Sequence, residues 1–477
     1  FLKILLFFKN ITIFFKYYYL LKILLFFYIT IYYKMTELIR QLDLYDIIFS
    51  GYGYAVGADI FALIPYIVKN GKNYTWLAFL IGGILVLATA LSYARLNLDY
   101  PSNDAEYTWI RESFKVKEED VKDDGDKLRN KFVEVVATVI IWAVMILGVT
   151  MNSVMVLSIN RFLKQMKINI PDVALNFLIV LVPLIFNLLD VKHMSGANII
   201  ITILTSIILF SIPAFGLSKS PHVKDLIPTP IKEDTLKGLI KAVGITILPY
   251  NGYQSVVQMS EEVKDVNNIP KGMITSGVLT IILYTVLAIS VVSILGIAKT
   301  SSSKSPIADI FNLFIGGWGG NVANIVGILT GFTTLLLSVY SRSRLLSKIS
   351  EYGIAPEVFS NYGIESNNKK YLNGIPFYSI ILISVFSYLC TMFKKNSLEF
   401  LTDVTNLLTC FVFIFVNLGV IYNYYKSKKT DQNKEDNNDN KDKTFIDKFK
   451  DTVPIYSFVG MITFSILLYN FIRDFMK

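Results

Sequence analysis

Long blocks of apolar residues recur along this chain of 477 residues, and each is long enough to cross a lipid bilayer. A helix that crosses the hydrocarbon core needs about 20 residues. Charged residues make up 17% of the chain, whereas soluble proteins carry about 25%, and the mean hydropathy is +0.49. A membrane β-barrel would show short segments of alternating hydrophobicity instead. The sequence therefore predicts an all-α, polytopic, multi-pass membrane protein, and it leaves open whether the membrane belongs to the cell surface or an organelle.

Eleven of these blocks follow Met35, and each is predicted to be a membrane-spanning helix because a backbone in lipid must satisfy its own hydrogen bonds. The eleven predicted spans run near 44–68, 75–98, 132–157, 171–189, 195–216, 237–258, 273–297, 321–343, 374–393, 399–424 and 452–472.

Residues 1–34 form a hydrophobic N-terminal segment that four lysines interrupt. Lysine inside a membrane span is costly, which counts against a helix here. The segment has no small-residue cleavage site after a compact apolar core, so it does not match a signal peptide. Two interpretations stay open: a translated leader upstream of Met35, and an extra helix.

The net charge of +9 comes from lysines and arginines that cluster between the spans, where basic residues set the orientation of a membrane protein. The most basic loops are 95–131, 342–373 and 425–451, which predicts that these loops and the N-terminus are cytoplasmic. This distribution does not indicate nucleic-acid binding. Residues 115–131 are predicted to be a solvated loop and 425–451 a hydrophilic linker, with an additional C-terminal span in 452–477.

Few residues are suited to metal or cofactor chemistry. Cys390 and Cys410 both fall inside predicted spans, and two histidines are too few for a metal site. We therefore expect no metal and no cofactor. The sequence has no catalytic triad and no nucleotide-binding loop, so an enzyme is not expected.

The first span carries a weak point at its centre. Gly51, Gly53 and Gly57 precede Asp59, and Pro65 follows. Each glycine costs about 1 kcal/mol relative to alanine in a helix, so this segment is predicted to unwind. Unwound backbone is tolerated in a membrane only where it lines a cavity or is buried in protein. A half-helix that begins near Ile60 would then present its N-terminal N–H groups, which suit a carboxylate.

The sixth span carries a second interruption, at Pro249 and Gly252 around Tyr250 and Asn251. Proline removes a backbone donor and frees a carbonyl group. Interruptions at corresponding places in two five-span halves point to a binding site at the membrane midplane of an inverted-repeat transporter. Freed carbonyls there are suited to an ammonium group.

Four blocks resemble, in the same order, blocks of the amino acid–polyamine–organocation (APC) superfamily of permeases. They are VGADIF (56–61), ALSYARLNLDYPSNDAEYTWIRESF (90–114), PYNGYQSVVQMSEEVKDVNNIPKGM (249–273) and SRLLSKISEYGIAPEVFS (343–360). The third block is most similar to the L-type amino acid exchangers. The resemblance implies a five-plus-five inverted-repeat (LeuT-like) transporter fold with discontinuous spans 1 and 6. Its ten-span core would cover 35–424, with a first repeat at 44–216 and a second at 237–424.

The resemblance also implies roles for individual residues. Those implied for substrate binding are Gly57, Ala58, Asp59, Leu248, Tyr250, Asn251, Gly252 and Tyr253, the last of them near an aromatic gate. Those implied for a cytoplasmic gating loop are Glu261, Glu262 and Lys264.

Asp59 departs from the family pattern, which has glycine there. Three interpretations follow: the carboxylate caps the next half-helix, it titrates and couples proton movement, or it pairs with a cationic amine. We favour them in that order.

The coupling ion is left open between proton and sodium. Span 5 lacks the lysine that occupies a cation position in many members, and Thr333, Thr334, Ser338 and Ser341 of span 8 are suited to sodium, although such hydroxyls commonly bond to their own helix. The loop between spans 3 and 4 has no cysteine, so a disulfide-linked heavy-chain partner is not expected.

These features predict a secondary active transporter that moves amino acids by alternating access, as a permease or exchanger. The alternatives are a polyamine or cationic amine permease, and an amino-acid sensor that binds without transport. The expected partners are the amino acid or amine, a coupling ion and the lipid bilayer.

Overall fold

The computed structural model describes residues 42–102, 104–188, 192–230, 232–252, 254–257, 263–361, 364–366, 369–371, 375–393, 397–431 and 445–475. The N-terminal segment 1–34 lies outside the described residues, as do Tyr253, Glu261 and Glu262.

The first half of the described chain is helical. Its helices are α1 (Leu44–Ala55), α2 (Ala58–Gly71), α3 (Thr75–Asp99), α4 (Ala105–Phe114), α5 (Asp124–Gln165), α6 (Asp172–Asn187) and α7 (Lys192–Ser218). Short 3-10 turns lie at Lys72–Tyr74, Glu118–Asp120 and Val223–Leu226.

The second half continues in the same way, apart from a small hairpin. Its helices are α8 (Glu233–Tyr250), α9 (Gln254–Val257), α10 (Asn268–Ser302), α11 (Pro306–Ile315), α12 (Gly319–Glu351), α13 (Phe377–Cys390), α14 (Ser397–Asp431) and α15 (Phe445–Phe475). A 3-10 turn lies at Glu357–Ser360, and strands β1 (Ile364–Ser366) and β2 (Lys369–Tyr371) pair antiparallel with Ile364 opposite Tyr371.

Each of the eleven predicted spans overlaps one of these helices, and six helical stretches in the described residues are long and apolar enough to cross a membrane. Those six are Ala58–Asp99, Asp124–Gln165, Asn268–Ser302, Gly319–Glu351, Leu398–Lys428 and Phe449–Arg473. The protein is therefore an integral multi-pass membrane protein.

The helices pack in two groups that meet at α2 and also where α3 and α8 pack against α14. In the first group α10 packs against α1, α2 and α3, and α8 packs against α2 and α3. In the second group α5 packs against α12, α13 and α14, with α4 lying against α5 and α14. Helix α2 contacts α8 and α10 on one side and α5 and α12 on the other. The break between α1 and α2 therefore lies where the two groups adjoin.

Two of the predicted loops are partly helical. The solvated loop expected at 115–131 ends early, because Asp123 caps α5 by accepting a hydrogen bond from the Asp126 N–H at 2.9 Å. The linker expected at 425–451 is helical up to Asp431 and again from Phe445, while 432–444 lie outside the described residues.

Helix α10 contains a break at Gly296, whose φ of 78° and ψ of 162° are not helical. The Asp225 carboxylate accepts the N–H of Ile297 at 3.1 Å and so caps the segment that follows. The short turn at Val223–Leu226 is thereby fixed to the end of α10.

Candidate functional site

The first predicted span is interrupted at its centre, as the glycines indicate. Val56 (φ −85°, ψ 67°) and Gly57 (φ −89°, ψ −178°) leave the helical conformation between α1 and α2. The Gly57 N–H turns back to the Ala55 carbonyl at 3.0 Å. The second half-helix begins at Ala58 rather than near Ile60, because Gly57 is already extended and serves as the N-cap.

The peptide carbonyl exposed by this break has a partner on α10. The Tyr284 O–H donates to the Ala55 carbonyl at 2.6 Å, and the Tyr284 side chain is fully buried. Sequence reasoning did not find Tyr284, because a single tyrosine within an apolar span gives no signal for such a contact.

Asp59 does not cap α2 in the way we expected first. It is the second residue of the helix, and its Oδ1 accepts the N–H of the adjacent Ile60 at 2.9 Å. Gly57 holds the N-cap position without any side-chain hydrogen bond. The Asp59 carboxylate is 2% exposed, and among the described residues no lysine or arginine forms an ion pair with it.

Gly57 lies between the Asp59 carboxylate and a hydroxyl of span 8. A Cβ at Gly57 would be 2.8 Å from Asp59 Oδ1 and 3.4 Å from Thr334 Oγ1. The Thr334 hydroxyl donates to the Thr330 carbonyl at 3.0 Å, and Thr333 donates to the same carbonyl at 2.9 Å. These hydroxyls bond to their own helix, and their oxygen lone pairs are left to accept or to coordinate. Ser338 lies one turn further along α12.

The sixth predicted span is interrupted as well. Helix α8 ends at Tyr250, Asn251 adopts φ −87° and ψ 80°, and α9 begins at Gln254. The Asn251 N–H donates to the Leu248 carbonyl at 3.0 Å, and the Gly252 N–H donates to the Tyr250 carbonyl at 3.1 Å. The carbonyls of Leu248 and Tyr250 thus each accept one of these hydrogen bonds and retain a second lone pair.

The side chains around this second break point in different directions. The Tyr250 O–H donates to the Phe79 carbonyl of α3 at 2.9 Å, so the ring lies between α3 and α10. Asn251 Nδ2 donates to Thr409 Oγ1 of α14 at 3.2 Å, while its buried Oδ1 has no hydrogen-bond partner among the described residues. Thr409 was not anticipated from the sequence, since it belongs to a different span.

The two interruptions meet through their backbones. A Cβ at Gly252 would lie 2.4 Å from Ala55 N and 2.6 Å from Tyr54 C. Such distances are too short for any side chain, so glycine is needed for this close approach. The backbone of one break therefore rests directly on the backbone of the other.

A small cavity, part of it open to the surroundings, adjoins both breaks. It lies among α1, α3, α8 and α10, and its lining is mainly small and apolar. Lining residues near the breaks and on α10 include Gly51, Ala55, Tyr250, Ser276 and Thr280. None of the described lining residues is charged.

Of the predicted gating loop, the structure describes Lys264. Its side chain is exposed, and its backbone N–H donates to the Leu42 carbonyl at 3.0 Å. Leu42 and Val263 form a parallel bridge, so the chain just before α1 is joined to the chain that follows α9. The roles predicted for Glu261, Glu262 and Tyr253 fall on residues outside those described.

Comparison with known proteins gives a consistent result across most of the chain. The family model described as amino acid permease matches residues 41–474. The chain is 21% identical over 404 residues to the vacuolar cationic amino acid transporter 8 of Arabidopsis thaliana, covering 82% of this chain and 64% of the relative.

Two bacterial relatives are similar at the same level. The chain is 22% identical over 343 residues to the branched-chain amino acid permease BcaP of Bacillus subtilis, covering 66% of this chain and 68% of the relative. It is 22% identical over 352 residues to the methylthioribose transporter of Bacillus subtilis, covering 69% and 70%. The chain thus spans about two thirds of the length of the relatives it matches.

Proposed function

The chain belongs to the amino acid permease family, and on this premise we propose that it is a secondary transporter that moves amino acids across a membrane by alternating access. In this proposal the five-plus-five inverted repeat spans 44–216 and 237–424. The observation that carries it is the contact of Gly252 with the Tyr54–Ala55 backbone, which joins two interrupted helices at one place. Corresponding interruptions of this kind are typical of inverted-repeat transporters.

The two breaks offer complementary groups to a zwitterion. Gly57, the N-cap of α2, makes no side-chain hydrogen bond. Asp59 accepts the Ile60 N–H, and the other first-turn N–H groups and the helix dipole favour a carboxylate. At the other break, the carbonyl lone pairs of Leu248 and Tyr250 and the unpartnered Oδ1 of Asn251 are acceptors suited to an ammonium group.

The buried Asp59 carboxylate gives a physical reason for coupling to protons. An ionised carboxylate inside a membrane protein is costly when it lacks a cationic partner. A substrate carboxylate at the same helix N-terminus would repel it by about 4 kcal/mol, for two like charges about 4 Å apart at an effective dielectric constant of about 20. Substrate binding would therefore favour protonated Asp59, which makes the transporter a proton symporter.

The test is uptake of labelled leucine by the purified protein in proteoliposomes with an inward proton gradient. A one-to-one symporter accumulates substrate about tenfold for each pH unit. We expect Asp59→Asn to lose this accumulation and to keep counterflow exchange. The matched control is Asp172→Asn, since that carboxylate is 72% exposed and belongs to a surface ion pair. Undiminished accumulation by Asp59→Asn would remove this residue from coupling.

A second function, permeation of cationic amino acids or polyamines, is favoured by one observation, the buried Asp59 carboxylate without an ion-pair partner among the described residues. The proteins to which the chain is similar include cationic amino acid transporters. The uncharged lining of the cavity beside the breaks supports an apolar substrate side chain instead.

Inhibition of leucine uptake by arginine and by putrescine separates these two functions. Suppose that arginine or putrescine inhibits leucine uptake more strongly than leucine itself does. If Asp59→Asn then abolishes binding of that cationic compound, Asp59 is the cation partner. Binding without counterflow for every substrate would indicate a sensor.

A further inference from the structure

Glu106 and Arg342 are two opposite charges that are buried away from the interrupted segments. Glu106 is the second residue of α4 and is 1% exposed, and Arg342 lies in the last third of α12 and is 4% exposed. Charged side chains are almost never fully buried unless they are paired. The burial of these two charges therefore needs an explanation, and the candidate substrate site does not supply one.

Glu106 joins span 2 to α4 and lies near Arg342 of span 8. The Tyr93 O–H of α3 donates to Glu106 Oε1 at 3.0 Å. The positive charge of the Arg342 guanidinium acts on the Glu106 carboxylate from beyond ion-pair distance. Burial raises the pKa of the Glu106 carboxyl, and the nearby Arg342 guanidinium opposes that effect. One carboxylate thus links a helix of the first packing group to a helix of the second.

The guanidinium has room at this place because α5 carries a glycine. A Cβ at Gly148 would lie 2.6 Å from Arg342 Nε and 2.7 Å from its Cδ and Cγ. The pair therefore occupies the point at which α3, α4, α5 and α12 come together.

The network is not fully satisfied. Glu106 Oε2, an acceptor, and Arg342 Nη1, a donor, are both buried and have no hydrogen-bond partner among the described residues. Buried groups left in this way are costly, and a partly satisfied network is held less firmly than a complete one. Such contacts are suited to being made and broken during a conformational change.

The pair lies between the candidate site and the predicted cytoplasmic face. Arg342 is eight residues beyond Thr334, which is about 12 Å along the α12 axis. In the interval, Tyr54 of α1 packs against Leu337 of α12 in a small apolar cluster apart from the main core. Side chains from both packing groups therefore fill the space through which a substrate would leave.

We propose that Tyr93, Glu106 and Arg342 form an inner gate in which Glu106 is a positioning residue that holds span 2 to α4, beside Arg342 of span 8. While these contacts are present, the cytoplasmic side of the site is closed. This inference rests on the alternating access of the proposed function.

The test measures cytoplasmic access at Ser338, which is 8% exposed and lies between Thr334 and Arg342. Ser338→Cys is placed in a chain whose Cys390 and Cys410 are replaced by alanine. A charged methanethiosulfonate reagent is applied from the cytoplasmic side, and the rate of modification is measured. Because the probe is buried in the closed state, the parent reacts slowly.

We expect Glu106→Gln to raise the modification rate by about tenfold. The loss of one hydrogen-bonded charge weakens the closed state by an amount that allows such an increase. Tyr93→Phe removes the O–H alone and keeps the ring against Trp109, 5.2 Å away, so it decides the question if Glu106→Gln fails to fold. The same increase is expected for it. A rate unchanged in the folded variants would overturn the proposal.

The matched control is Glu134→Gln on α5. Glu134 is 38% exposed, receives Arg111 Nε of α4 at 3.1 Å, and joins α4 to α5 within the second packing group. We expect its rate to stay within about twofold of the parent. An increase equal to that of Glu106→Gln would indicate general loosening and would also overturn the proposal. The labelling needs no substrate, so the gate and the transport activity can fail separately.

Discussion

Replacing Gly252 by alanine is the most direct test of whether the two interrupted helices form one site. The added Cβ would lie 2.4 Å from Ala55 N, 2.6 Å from Tyr54 C and 2.8 Å from Ala55 Cα. Ordinary contacts begin near 3.4 Å, so the two backbones must separate by about 1 Å. Overpacking of this kind costs about 1–3 kcal/mol. If that cost falls on the substrate-bound state, the affinity decreases by about 5- to 150-fold.

The assay is the initial rate of leucine uptake into proteoliposomes over a range of leucine concentrations, together with the thermal stability of the detergent-solubilised protein. The matched control is Gly216→Ala in α7, where the nearest atom is 3.6 Å from the new Cβ, an ordinary contact. We expect the control to transport normally and Gly252→Ala to show a raised KM or no uptake. If Gly252→Ala transports with the parent KM and rate, the two backbones do not need their close approach in the working protein.

Three other substitutions have defined outcomes. Tyr284→Phe removes the O–H that reaches the Ala55 carbonyl at 2.6 Å, and unfolding should become easier by about 1 kcal/mol, seen as a lower Tm. Thr409→Val leaves the Asn251 amide without its acceptor and should weaken substrate binding by about 1–3 kcal/mol in a titration. Gly296→Ala forces a φ of 78° on a residue with a Cβ, and should lower the stability by about 1–2 kcal/mol. An unchanged Tm for the first or third variant, or an unchanged Kd for the second, contradicts the contact concerned.

The positions of the two helix breaks could be predicted from the sequence because they depend on local chemistry. Gly57 and Pro249 weaken a helix wherever it lies, and the structure breaks next to Gly57 and within two residues of Pro249. The prediction for Asp59 was less accurate. Aspartate is a good N-cap in general, but here the extended backbone of Gly57 takes that position two residues earlier than the sequence indicated.

The partners of the breaks could not be predicted, since they depend on how separate spans rotate against one another. Tyr284 and Thr409 come from two different helices, and each is one of many polar residues within an apolar span. The sequence indicated only that Gly252 interrupts span 6. The structure shows that Gly252 also contacts Ala55, nearly two hundred residues away along the chain. A single sequence does not show that two segments so far apart along the chain come together in space.

The hydrogen bonds already present at the two breaks explain why the site would be selective for a zwitterion. At the first break the Ala55 carbonyl is occupied by Tyr284, while the N-terminus of α2 is left uncapped, so this side retains donors. At the second break the N–H groups of Asn251 and Gly252 are used locally, so this side retains acceptors. A ligand bearing only a carboxylate or only an amine would satisfy one side and leave the other buried and unmatched, at a cost of about 1–3 kcal/mol per group. On the proposed function, we expect discrimination against such half-substrates to follow from the polarity of the two breaks, independently of the pocket that receives the side chain.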